Sequence, residues 1–231
     1  MIRIFLIRHG ESNLNTGENY TLNLPDHKVY LTENGKQQAE EAGKFLKKYI
    51  DENNISLENA TLFVSPYERT RQTANIINSY LNLTDIKEDI ALVEHQYGLF
   101  ENVEEDMWPT LFEREFNLYD NYVKKEGKFF ARFPQGESPY DVAIRLRLFI
   151  ETLFRDINEG KDTFFIVSHG TSIRAFVLDW FHHSPEWFAS EKNMKNCSIR
   201  LIEKEGKKNI DKDYIYGGRK EKWTKENSEN K

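Results

Sequence analysis

Short apolar runs alternate along this chain with segments whose apolar positions recur every three or four residues. Ile2 to Ile7 is apolar and partly β-branched, which predicts a buried strand rather than a helix. Asn13 to Tyr30 is polar, contains Gly17 and Pro25, and reads as a loop. From Lys36 to Tyr49 the positions Ala39, Ala42, Phe45, Leu46 and Tyr49 fall on one helical face, with Thr32 placed as an N-cap. Ala60 to Val64 predicts a second strand. Pro66 suits the first turn of a helix running to about Leu81, and Ile90 to Val93 reads as a short strand.

The segment from Glu94 to Pro134 breaks this rhythm. It is acidic at Glu101, Glu104, Glu105 and Asp106, and then carries Trp108, Phe112, Phe116, Tyr119 and Tyr122/Val123 at helical spacing. One or two helices inserted over the edge of a sheet are expected, packed on the domain and able to serve as a lid. Ser138-Pro139 opens a further helix with Val142, Leu146, Phe149, Ile150 and Leu153 on one face. A strand at Thr163 to Val167 follows, then a helix from Thr171 to about Phe181. Strands are expected at Asn196 to Glu203 and Asp213 to Tyr216, with a turn at Gly217-Gly218 and a charged, frayed tail from Arg219. The expected organisation is one domain over 1–218 followed by the tail 219–231.

With 231 residues, 39% hydrophobic and 30% charged, the chain can bury a full α/β core. A net charge of -6 argues against nucleic acid held by bulk charge. Neither an apolar leader nor a run long enough to cross a bilayer is visible, so no membrane partner and a cytoplasmic location are expected. Cys197 has no second cysteine to pair with and reads as a small buried hydrophobe.

Chemistry enters where the apolar runs stop. Arg8-His9-Gly10-Glu11-Ser12 follows the first strand, and Ser168-His169-Gly170 follows the run Phe164 to Val167. Ligands of open α/β sheets bind beyond the carboxyl ends of strands. An imidazole there can attack, and a guanidinium can hold the anion it attacks. Two strand-end histidines with arginines nearby point to a pocket for a phosphoryl group.

Further segments extend the picture: Asn15, Leu31-Thr32 with Gly35 and Gln38-Ala39, Ser65-Pro66-Tyr67-Glu68-Arg69-Thr70-Arg71-Gln72-Thr73-Ala74, Gly136-Glu137-Ser138, and Ile173-Arg174 after the second histidine. In this order, from Ile2 to about Ile202, they resemble the histidine phosphatase superfamily, also called phosphoglycerate mutase-like. The resemblance implies His9 as a nucleophile that becomes a phosphohistidine. It implies Arg8, Asn15, Arg69, His169 and Gly170 as phosphate-binding residues, and Glu94 as the acid that protonates the leaving oxygen and then helps activate water. The nucleophile must be neutral and the acid protonated when substrate binds, which implies a bell-shaped pH profile with an acidic optimum.

Gly170 stands where the secreted phytase branch carries Asp, so the chain resembles the mutase and fructose-bisphosphatase branch. The run Glu94-His95-Gln96-Tyr97-Gly98 lacks the mutases' arginine after the acid, and the insertion lacks their Arg-Arg segment. The stretch Gly127 to Ser138, with Trp180-Phe181 and Asn196 to Arg200, is similar to mutase-like proteins of plants, fungi and bacteria, implying a broad acid-phosphatase-like activity. Phosphoglycerate mutase-type transfer and a non-catalytic phosphate-recognition scaffold are the alternatives. His27, His95, His182 and His183 are expected at the surface and Arg71 exposed or paired. No cofactor or metal is expected, because two arginines would repel a cation. The expected partner is a small phosphorylated substrate, with oligomeric state open. Pattern and resemblance together lead to an α/β three-layer sandwich around a mainly parallel sheet.

Overall fold

The computed structural model describes residues 1–17 and 24–219. Six strands form one sheet in the order β3-β2-β4-β1-β5-β6. They are β1 (Ile2–Arg8), β2 (Ala60–Val64), β3 (Ile86–Glu88), β4 (Thr163–Ser168), β5 (Ile199–Glu205) and β6 (Lys208–Tyr216). β1, β4, β2 and β3 run parallel, whereas β5 is antiparallel to β1 and β6 to β5. The helices are α1 (Glu33–Glu52), α2 (Glu68–Leu81), α3 (Trp108–Leu111), α4 (Glu113–Glu126), α5 (Pro139–Asn158), α6 (Gly170–Phe181) and α7 (Pro185–Ser190).

The central strands are buried on both faces, which is why they read as unbroken apolar runs. Their alternation then sorts residues between two cores. Ile4, Leu6, Phe164 and Ile166 pack with Leu146, Phe149 and Phe176 of α5 and α6. Phe5, Ile7, Phe165 and Val167 pack with Ala42, Leu46, Ala74 and Ile77 of α1 and α2. The expected α/β three-layer architecture with a mainly parallel sheet is therefore present.

Helix starts follow local chemistry. Thr32 caps α1 by accepting from Gly35 N–H, and Ser138 with Asp141 forms a capping box at α5. Pro66 lies outside its expected helical turn: Tyr67 is the N-cap of α2, which begins at Glu68.

The expected strand Ile90 to Val93 is absent. Asp89 accepts from Ala91 N–H and starts a 3₁₀ turn over Ile90–Leu92, while the strand at this edge is β3. The carbonyls of Leu92 and Val93 accept from the hydroxyls of Ser168 and Ser172 instead of from a neighbouring strand. This turn delivers Glu94 to the end of β4.

The insertion holds α3 and α4 and has an aromatic core of its own, in which Phe100, Trp108 and Phe133 are buried together. The helical pattern of its aromatics is interrupted at Phe112, which has the non-helical φ of -134° and separates the two helices. α7 had no counterpart in the sequence reading. Arg219, placed in the frayed tail, instead pairs with Glu191 and Asp213; 220–231 lie outside the described residues. Among the described residues, no helix is long and apolar enough to cross a membrane.

Candidate active site

Strand register builds the site. Arg8 of β1 sits opposite Ser168 of β4, so His9 and His169 are the next residues along two adjacent parallel strands. His9 N–H donates to the Ser168 carbonyl at 3.0 Å, and the two imidazole centroids are 5.1 Å apart. Val64 of β2 pairs with Val167, which brings Ser65 within 2.9 Å of His169 Nε2.

The loop after β1 holds His9 by close approach of two backbones. A Cβ at Gly10 would fall on the Gly35 carbonyl, and one at Gly35 on the Glu11 carbonyl, so both positions require glycine. Glu11 ties the loop to α1 by accepting from Thr32 Oγ1 at 2.8 Å and Asn34 Nδ2 at 3.0 Å. Its role is structural. The Gly10 carbonyl in turn lies 2.7 Å from His9 Nδ1. A carbonyl can only accept, so Nδ1 carries the ring proton and the neutral ring's lone pair lies on Nε2.

Arg8, His9, Arg69 and His169 are all buried. Arg8 Nη1 donates to the Met194 carbonyl at 2.7 Å. Arg69 Nη1 and Nη2 donate to the Asp26 carboxylate at 2.7 and 3.2 Å, an ion pair that motif spacing does not reveal. Arg8 Nε, Arg69 Nε and His169 Nδ1 have no hydrogen-bond partner among the described residues. Three polar nitrogens left bare in one buried cluster are costly unless an acceptor meets them. Burial first, then the positive charge of Arg69, the neighbouring His9 ring and the charge of Arg8, hold His169 well below the ordinary histidine range, so its ring is neutral.

Glu94 lies at the N-terminus of α6. Its carboxylate accepts from the N–H groups of Thr171 and Ser172, each at 3.3 Å, and from its neighbour His95 N–H at 2.9 Å. Its backbone is fixed by Arg145, which donates to the Glu94 and Ala91 carbonyls while pairing with Glu137. This explains Gly136-Glu137-Ser138 as a positioning motif: Glu137 orients Arg145, and Ser138 caps α5. Arg145 escaped the sequence reading because its contacts join three separate segments.

Gly170 is the first residue of α6, beside the site. Asn15 is exposed, and its Oδ1 accepts from Ser12 and from Asn196 Nδ2. Asn196 also donates to the His9 carbonyl at 3.1 Å, so the turn before β5 covers the His9 backbone. That turn replaces the expected early start of the strand at Asn196.

His95 departs from the expected surface position. It is buried, and its Nε2 donates to the Glu137 carbonyl at 2.8 Å. Burial is the main cause that lowers its pKa. His27 and His182 are exposed, His183 stacks on Trp187, and Arg71 forms an exposed pair with Glu88. Cys197 is buried and its thiol is pushed up to about 12, mainly by burial, which fits an inert packing residue. No group of His, Cys, Asp and Glu among the described residues is arranged to hold a metal ion.

Known proteins resemble this chain in sequence and in fold. The chain is 38% identical to phosphoglycerate mutase-like protein AT74 of Arabidopsis thaliana, over 87% of this chain and 64% of that protein, so it spans under two thirds of that relative. It is 29% identical to the broad-range acid phosphatase DET1 of Saccharomyces cerevisiae, over 87% of this chain and 84% of that protein. The fold matches the alpha-ribazole phosphatase of Shigella flexneri with a TM-score of 0.74 at 18% identity, covering 95% of this chain and 98% of the other. The sequence pattern of the histidine phosphatase superfamily (branch 1) matches residues 4–212, and the chain belongs to that family.

Proposed function

We propose that this chain hydrolyses phosphate monoesters through a phosphohistidine on His9. The observation that carries this reading is the pair of imidazoles 5.1 Å apart at adjacent strand ends, with the lone pair of His9 directed to Nε2. In the first step His9 Nε2 attacks phosphorus, the bond from phosphorus to the ester oxygen breaks, and Glu94 gives that oxygen a proton. In the second, water attacks the phosphohistidine, Glu94 takes its proton, and inorganic phosphate leaves with the imidazole restored.

The remaining groups act on charge. Phosphoryl transfer spreads negative charge over three equatorial oxygens, and positioned donors stabilise it. Arg8 Nε and Arg69 Nε supply charge-assisted donors. With Ser65 Oγ–H donating to His169 Nε2, the proton of that neutral ring lies on Nδ1 and gives a third. Gly170 lies at the start of α6, where backbone N–H groups favour an anion. Asn15 joins through its amide nitrogen, since its oxygen is already engaged.

Hydrolysis is favoured over mutase-type transfer because the buried, neutral His95 follows Glu94 where the mutases carry an arginine. The test is a panel of phosphorylated metabolites assayed with and without a bisphosphoglycerate primer. Release of inorganic phosphate without primer is expected; primer-dependent isomerisation with negligible phosphate release would overturn the reading in favour of a mutase, and no turnover in either arm would favour a recognition scaffold.

A further inference from the structure

A cavity of about 440 Å³ opens beside Glu94, between the insertion and α6–α7. Its size is that of a small-molecule site. Thr171, whose N–H holds Glu94, and His95, the residue after Glu94, lie on its wall, so the cavity borders the proposed reaction centre. Much of the wall is aromatic, with Phe116 and Tyr119 of α4 facing Phe129 and Phe188. The aromatic part of the wall suits a flat ring.

The wall also carries polar residues, His95, Glu105, Asp120, Lys128, Thr171 and Asn193, and one of its charged residues, Arg174, is largely buried. Arg174 projects from α6 into this lining, with its guanidinium 3.9 Å from the centroid of the Phe188 ring. Its Nη1 donates to the Glu191 carbonyl at 2.9 Å, and its Nε is buried without a partner. No carboxylate among the described residues lies within ion-pairing distance of it. A guanidinium largely removed from water, held by one carbonyl and facing Glu94 and Glu191 only from beyond ion-pairing distance, has a donor left unmet, and stacking on Phe188 fixes its plane. The acidic wall residues Glu105 and Asp120 lie on the insertion side, where Asp120 already pairs with Lys124.

Resting on the proposed hydrolysis, we infer that this cavity receives the alcohol part of the substrate, and that this part is an aromatic ring carrying a carboxylate that Arg174 binds. Arg174 stands three residues beyond Thr171 and so on the same face of α6, deeper in the cavity wall than the residue that borders the reaction centre. The phosphoryl group sits at His9, the ring lies against Phe116 and Phe188, and the carboxylate meets the Nε edge of Arg174.

The experiment compares kcat/KM for phenyl phosphate and 3-carboxyphenyl phosphate in the wild type, Arg174→Gln, Arg174→Lys and Phe116→Ala. A charge-assisted contact predicts a preference of about tenfold for the carboxylated ester in the wild type. That preference falls to about one in Arg174→Gln and is partly kept in Arg174→Lys. Phe116→Ala weakens both aryl esters and keeps the preference. Calorimetric binding of the free product, 3-hydroxybenzoate, to wild type and Arg174→Gln reads the cavity independently of turnover. Absence of all turnover with Arg174-dependent binding of 3-hydroxybenzoate would count against the hydrolase reading and leave the subsite standing. A wild type without carboxylate preference, or a preference unchanged in Arg174→Gln, would overturn the subsite.

Discussion

In the proposed mechanism the hydrogen bond from His9 Nδ1 to the Gly10 carbonyl decides which nitrogen reacts, because it leaves the lone pair on Nε2. Glu94 is the group proposed to protonate the leaving oxygen. Glu94→Gln keeps the amide oxygen as an acceptor but removes the proton to be donated. It should slow enzyme phosphorylation by alkyl phosphates about 10²–10⁴-fold, the usual size of general acid catalysis. With p-nitrophenyl phosphate, whose leaving group needs little protonation, the loss should be far smaller; single-turnover rates check this, and equal losses would assign Glu94 to binding. Asp26 acts in the opposite sense. It occupies both terminal nitrogens of Arg69, so its negative charge offsets the guanidinium that an incoming phosphate would meet at Nε. Asp26→Asn should tighten inhibition by inorganic phosphate about tenfold, measured as a lower inhibition constant. His9, Arg8 and His169 were legible because each sits at the end of an apolar run. Asp26 was not, since 43 positions and no shared pattern separate it from Arg69.

Elements carry the site by where they end. β1 and β4 were readable because strands buried on both faces are continuous apolar runs, and their parallel pairing alone brings His9 and His169 together. Ile90 to Val93 has the same composition but becomes a 3₁₀ turn, because Asp89 caps it and side chains of β4 and α6 take its carbonyls. Composition does not encode those tertiary partners. The motif glycines were visible as positions, while their reason, the contact of the loop after β1 with the start of α1, needed coordinates. Gly10→Ala should force these backbones apart and move His9. A cost of about 1–3 kcal/mol in unfolding free energy, with a fall in kcat, is expected from denaturant titration and steady-state assays. Ser138→Ala removes half of the capping box of α5 and should cost about 1 kcal/mol in the same titration.

Across the whole molecule, buried titratable groups set opposing pH limits on stability. His169 and His95 are held below 6.5 in the folded state, while the unfolded chain protonates near that value. The unfolded state therefore binds more protons as pH falls below about 6.5, and stability is lost on the acid side. Glu101 works the other way: burial first, and then Asp26, raise it to about 7 from 4.5. As pH rises from 4.5 to 7 the unfolded chain releases this proton and the folded chain keeps it, so stability declines over that window. Glu101→Gln should raise Tm by about 2–4 °C at pH 8 and by less at pH 4, read from melting curves. These opposing limits could not be read in the sequence, where Glu101 is one of several acidic residues in the insertion. The central claim, that His9 is the nucleophile, is tested most directly by incubating wild type and His9→Ala with a substrate carrying radiolabelled phosphate and quenching within one turnover. Acid-labile, base-stable label on the wild type and none on His9→Ala is the expected result. Equal labelling of the two proteins would contradict it and place the nucleophile elsewhere.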